Sequence, residues 1–259
     1  MREQKQILLI IVLLITGATI VITTLYGQGK KDLTIFRQEE ATPIKEGVMT
    51  EKQREHSKLI KGEPYIGGKK IADLIAKQGD VEVYGPIRNV PLLHLSTDEV
   101  LTYLKCNADS VIIGRVTSKS SNLIETGTFL FTDYEVTVEE VLKDNSVAPL
   151  RADSNITITR LGGVVSLNGH IVRAIDETSA PLTMGGHYLF YLKYVPTTGS
   201  YRPLAHPAFD DTFHLLNTDV SQVSNKKLPF GWHDRADATS FLNAARNVLN
   251  SPCRFGEGQ

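Results

Sequence analysis

The stretch Phe129-Leu-Phe-Thr-Asp-Tyr-Glu-Val-Thr-Val-Glu-Glu-Val-Leu142 decides the class of the fold. Tyr134, Val136 and Val138 fall on one side and Glu135, Thr137 and Glu139 on the other, the period of two that half-buries a strand. The phase slips at Glu139-Glu140, where Val141 stands in place of the expected polar residue, as a β-bulge would cause. Upstream, Ser110-Val-Ile-Ile-Gly-Arg-Val116 is a β-branched run that reads as a strand. Downstream, Asn155-Ile-Thr-Ile-Thr159 alternates cleanly. Asn168-Gly169 between Val164-Val165 and Ile171-Val172 predicts a tight hairpin. His187-Tyr-Leu-Phe-Tyr-Leu192, preceded by Gly185-Gly186, is apolar on both faces and reads as a central strand. One or two further strands fall between Tyr201 and Leu216, interrupted by Pro203 and Pro207.

Helices flank this β region. Ile71, Leu74 and Ile75 share a helical face, and Gly79 suits the position just past its end. Val81-Glu-Val-Tyr84 alternates as a short strand. Ser96-Thr-Asp-Glu99 is a capping box, with Leu95 and Val100 placed as a hydrophobic staple, and opens a helix over 97–105. Ala238, Phe241, Leu242, Ala245, Val248 and Leu249 form the stripe of a last helix, stopped at Ser251-Pro252. The expected fold is therefore mainly β (α+β), a small closed or nearly closed OB-like β-barrel flanked by helices.

The amino-terminal part differs in kind. From Gln6 to Gly29 no residue is charged, and Ile7 to Ile15 is wholly aliphatic. About 20 residues at about 1.5 Å each match the hydrocarbon core of a bilayer. Residues 7–26 are thus expected to be a transmembrane anchor behind a short tail, 1–6, making the lipid bilayer a partner. A cleaved secretory signal is the competing reading, but no A-x-A-like site follows. Basic residues stand on both sides of the span, so positive-inside counting does not orient it. The short tail favours an extracytoplasmic domain at the cell membrane. Residues 27–65, polar and lacking apolar period, read as a stalk, and 66–105 as a helical lead-in. The barrel then covers 106–217, and a carboxy-terminal helix and tail cover 218–259.

Cys106-Asn-Ala-Asp-Ser-Val-Ile-Ile-Gly-Arg-Val-Thr-Ser118 resembles the opening strand of the netrin-type module of tissue inhibitors of metalloproteinases. Tyr134 to Lys143 and Gly186 to Leu192 follow in the order of later strands of that module, and similar segments occur in bacterial exported proteins. The resemblance covers about residues 106–195 and implies a five-stranded OB-type barrel. The inhibitory activity does not carry over. That family binds zinc through the free amine of an amino-terminal cysteine, and Cys106 is internal.

The side chains exclude more than they specify. A net charge of −1 and the lack of a Lys/Arg-rich block argue against nucleic acid as a partner. Neither HExxH, nor paired CxxC, nor a nucleophile elbow, nor a phosphate loop occurs, and no cofactor is expected. His206, Asp210 and His214 belong to the densest group of metal-ligand types, a candidate zinc set, but the favoured reading is a polar loop joining two strands at the barrel mouth. Cys253 lies outside the strand-end context of a transpeptidase nucleophile. Cys106 and Cys253 could form one disulfide in an oxidising compartment. Asn155-Ile-Thr157 has the form of a glycosylation sequon inside a strand. Tyr201, Phe209, Phe213 and Trp232 could rim a ligand face. The expectation is a binding or envelope-assembly module with a protein partner at the cell surface. The alternative is an anchored surface hydrolase or transpeptidase.

Overall fold

A computed structural model describes residues 41–44, 49–60, 69–85, 97–176, 181–205, 208–209, 215–216 and 238–253. The chain divides into two units, Met1–Glu40 and Ala41–Gln259, and every described residue belongs to the second. Its fold is mainly β. In chain order the elements are β1 (Thr42–Ile44), α1 (Glu51–Ile60), α2 (Ile71–Gln78), β2 (Val81–Tyr84), α3 (Thr97–Asn107), β3 (Ser110–Leu123), β4 (Leu130–Lys143) and β5 (Asn155–Leu161). They continue with β6 (Gly163–Leu167), β7 (His170–Ile175), β8 (His187–Val195), β9 (Ser200–Ala205), β10 (Ala208–Phe209), β11 (Leu215–Leu216) and α4 (Ala238–Leu249).

The long antiparallel hairpin of β3 and β4 organises the whole. Between Ile113 and Gly114 the partner steps from Glu140 to Val138, so Glu139 is an extra residue on β4. This is the bulge that the slipped period announces. β4 pairs onward with β5, and β3 pairs with β8. β9 pairs antiparallel with β8 and meets β5 in a parallel bridge, Ile158 to Tyr201. The order β3-β4-β5-β9-β8 thus returns to β3 as a ring, extended beside β8 by β10 and β11.

Alternation places one set of side chains in the ring and another outside it. Ile112, Val116, Tyr134, Val136, Val138, Ile156, Ile158, Tyr188, Phe190, Leu192 and Tyr201 form one buried cluster. The opposite faces of β3 and β8 present Val111, Ile113, Leu189 and Tyr191 to Val100, Leu101 and Leu104 of α3 and to Phe241, Leu242 and Ala245 of α4. That two-sided burial is why β8 reads as apolar on both faces.

A second sheet has the order β1-β6-β7-β2, parallel at both outer pairs and antiparallel between β6 and β7. Asn168 and Gly169 take φ of 52° and 82°, the two positive angles a type I′ turn demands. Its core joins Val81, Val83, Val165, Leu167 and Val172 to Ile71 and Ile75 of α2. Phe129, Leu130 and Phe131 from the far end of the long hairpin complete it. α2 ends as expected, with the Gly79 N–H bonded to the Ile75 carbonyl at 2.9 Å.

Two expectations about organisation need correction. The β region 106–217 is not one barrel, because β6 and β7 leave the ring to pair with β1 and β2. Those partners come from stretches read as stalk (27–65) and lead-in (66–105), so the ordered unit begins well before Ile66. The three-residue β1 carries too little period to be seen, the alternation of Val81–Tyr84 shows a strand but not its partner, and α1 is polar along most of its length. Residues 7–26 lie outside the described residues. Among the described residues no helix is long and apolar enough to cross a membrane.

Two buried tyrosines, Tyr201 in the ring core and Tyr191 beneath the helices, make the domain sensitive to alkali. Burial, then the neighbouring Tyr194 and Asp144, push the Tyr201 hydroxyl up to about 12, and burial pushes that of Tyr191 higher still. Unfolded tyrosines ionise near about 10. The folded state therefore holds protons that the unfolded state has lost, and stability falls as pH rises from about 10 toward 12. Denaturant midpoints between pH 8 and 11 should fall above pH 10, together with the rise of tyrosinate absorbance.

Candidate functional site

The outer side of β4 and β5 bears a polar ladder. In-register pairing sets Asp133 opposite Thr159, Glu135 opposite Thr157 and Thr137 opposite Asn155. The alternate residues are the apolar ones that fill the ring, so the pattern that builds the core also lays out this face. α1 rests on it. Thr50 and Gln53 start the helix as a reciprocal capping box, Gln53 N–H to Thr50 Oγ1 at 3.1 Å and Thr50 N–H to Gln53 Oε1 at 2.9 Å.

Lys52 and His56 then fall one helical turn apart, about 6 Å along the axis, against about 7 Å between alternate strand residues. Each side chain therefore meets its own rung. Lys52 Nζ donates to Thr157 Oγ1 at 2.6 Å and stands 3.6 Å from Glu135 Oε1. Thr157 Oγ1 donates to the same Glu135 oxygen at 2.8 Å. His56 is fully buried. Its Nδ1 lies 2.7 and 2.8 Å from the two Asp133 oxygens, and Thr159 Oγ1 donates to Asp133 Oδ1 at 2.6 Å. A carboxylate accepts only, so Nδ1 carries the proton of this contact. Among the described residues, the buried His56 Nε2 has no hydrogen-bond partner.

The group resembles a hydrolytic triad only in its residue types. A nucleophilic hydroxyl would have to meet the other imidazole nitrogen. The adjacent Ser57 hydroxyl instead accepts the Glu125 N–H at 2.5 Å. What the arrangement does is hold α1 on the ladder.

A second polar group sits at the bulge. His187 Nδ1 lies 2.9 Å from Glu139 Oε2, and Arg115 Nε is 3.6 Å from Glu139 Oε1. The bulge thereby turns Glu139 to β8 and β3, while Glu135 serves α1, so these two carboxylates do not work as a pair. Glu140 pairs with Arg246 of α4 at 2.7 Å.

A third lies where α3 and α4 end. A disulfide joins Cys106 to Cys253. Lys143 donates to the carbonyls of Lys105 and Ala108, at 2.9 and 2.5 Å, and Lys193 to that of Asn107 at 3.1 Å. Lys105 donates to the carbonyls of Val248 and Ser251. Ammonium groups thus satisfy the otherwise open carbonyls at both helix ends. Burial lowers the pKa of Lys143. Burial raises that of Asp109, but hydrogen bonds from Lys193 and the Tyr194 N–H outweigh it and leave the carboxyl below its ordinary range.

Of the residues singled out in the sequence, Cys106 and Cys253 are brought together. His206, Asp210 and His214 lie outside the described residues, as do Phe213, Trp232 and the side chain of Phe209. Among the described residues no group of three or more metal-ligand side chains forms. Tyr201 does not belong to a rim. Strand parity turns it into the ring core, 3% exposed, with its ring 5.2 Å from that of Tyr194. The residues the sequence reading missed are Lys52, His56, Asp133 and Thr159. Their available signal was Thr50-x-x-Gln53 overlapping a Lys52-x-x-x-His56 spacing. No protein-family model matches the chain, and comparison with curated proteins returns no match.

Proposed function

We propose that this chain is a membrane-tethered, extracytoplasmic binding module on an OB-type barrel, and that it binds a protein partner at the cell surface. The observation that carries the reading is the order of the ring. The first three strands β3, β4 and β5 pair in sequence, and the chain then returns so that β8 lies beside β3 and β9 closes the gap. Such a Greek-key return supports an OB-type barrel, which takes ligands on the face of its second and third strands. Here those strands are β4 and β5, and their outer face is the polar ladder. The uncharged run of residues 7–26 supports the tether, and the disulfide favours an oxidising compartment. The rival reading, an anchored hydrolase or transpeptidase acting through Cys253, has no thiolate while that sulfur is bound to Cys106.

The test places a photo-crosslinking amino acid at exposed Asn155, on the uncovered rung, in the full chain in its own membrane. Arg246, half-exposed on α4, serves as the control position. Irradiation should give a discrete protein adduct from position 155 and none from 246. Adducts from 246 alone, or from neither, would refute the assigned face. In the same cells a membrane-impermeant reductant followed by an impermeant maleimide should label Cys253. Labelling that needs permeabilised cells would place the domain on the other side.

A further inference from the structure

We infer that α1 is a detachable cover, closing the β4–β5 ladder in cis and yielding it to a cationic peptide segment; this rests on the binding-module reading above. Four observations converge. First, among the described α1 side chains those that engage the rest of the domain are polar: Lys52 on Glu135 and Thr157, His56 on Asp133 and Thr159, and Ser57 on the Glu125 N–H of the β3–β4 turn. Elements held through polar contacts, with few buried apolar ones, belong to the low-stability end of a fold and open by themselves.

Second, what lies under α1 is already complete. Tyr134, Val136, Ile156 and Ile158 point into the ring, so lifting α1 from the two rungs wets Asp133 and the threonine hydroxyls while the ring core stays closed. Third, the closed state has a defect that opening removes: His56 Nε2 is buried without a partner among the described residues, a cost absent once water reaches it. Fourth, α1 carries its own stabilisation. The Thr50–Gln53 capping box and the Arg54–Glu51 and Lys58–Glu55 pairs lie within it and leave with it.

The chemistry of the ligand is written on the ladder. Asp133 and Glu135 supply two carboxylates on successive rungs, flanked by the hydroxyls of Thr159 and Thr157. Basic groups one helical turn apart meet them, as Lys52 and His56 do. The occupant of the open state is therefore a basic helical segment of another protein, and α1 is its internal competitor.

Hydrogen exchange on the unaltered full chain reads the cover directly. Backbone amides of α1 should exchange roughly 100-fold faster than those of β3 and β8, at a rate insensitive to low denaturant. Equal protection in α1 and β3 would overturn the cover while leaving the binding-module reading standing. The second arm uses a labelled peptide with the sequence of residues 49–60. It is titrated against the full chain and against the Lys52→Glu/His56→Asp variant, whose new carboxylates repel α1 from Glu135 and Asp133. Removal of an internal competitor should make the peptide bind the variant at least about ten-fold more tightly. Equal binding to both chains overturns the cover. If α1 opens alone and the peptide still ignores the variant, the ladder is not a binding site and both readings fall together.

Discussion

Replacing Cys106 and Cys253 together with serine should lower the stability of the domain by about 3–5 kcal/mol and its thermal midpoint by roughly 10 °C. The two cysteines are 147 residues apart in sequence, and their Cα atoms are 5.7 Å apart in the fold. Closing so long a loop removes much of the freedom of the unfolded chain, worth about 5 kcal/mol in the chain-entropy account. The folded state, by contrast, loses little. α4 remains seated through Phe241, Leu242 and Ala245, and Lys105 still caps its carbonyl end. The variant should therefore fold, keep its strand content, and show a larger denaturant dependence because its unfolded state expands. Urea titrations of the oxidised chain, the reduced chain and the double variant test this. The latter two should coincide. A variant within about 1 kcal/mol of the oxidised chain would show that the bond does not constrain the unfolded ensemble as supposed.

The contrast between α4 and α1 explains what could be read from the sequence. α4 announces itself because Phe241, Leu242 and Ala245 repeat at helical spacing and meet an apolar partner. β4 does so because its core face and its polar face alternate through eight residues, and even its bulge leaves a trace at Glu139. Asn168-Gly169 fixes its turn because two positive φ angles in succession leave few other choices. What stayed hidden depends on contacts between distant segments. Ring closure rests on one parallel bridge between Ile158 and Tyr201, and no local period encodes it. β6 and β7 have the alternation of ring strands, and only their partners β1 and β2 assign them to another sheet. The candidate site was hidden for a related reason. His56 looks like one more polar residue in a charged stretch, and only Asp133, 77 positions away, makes it a buried anchor.

Gly163→Ala should cost about 4 kcal/mol, whereas Gly127→Ala should cost about 1 kcal/mol, although both glycines have positive φ. At Gly127 φ is 69° and nothing lies within 4 Å of where a Cβ would stand, so only the backbone preference is lost. At Gly163 φ is 138°, in a region open almost to glycine alone. A Cβ there would sit 2.6 Å from Ser121 Oγ and closer still to Thr132 Oγ1. Neither hydroxyl is free to step aside. They are 2.7 Å from each other, Thr132 Oγ1 donates to the Gly162 carbonyl at 2.8 Å, and both residues are almost completely buried. Moving them strands polar atoms away from water, so the steric and hydrogen-bond costs combine. The position also joins β5 of the ring to β6 of the second sheet, and Ser121 reaches β1 through its N–H to Thr42 Oγ1 at 3.3 Å. Hydrogen exchange on Gly163→Ala therefore decides how the two sheets are coupled. If they unfold as one unit, protection falls equally in β3 and β7. Loss confined to β6 and β7 would mean that the long hairpin, though it supplies Phe129, Leu130 and Phe131 to the second core, does not bind the two sheets into one cooperative fold.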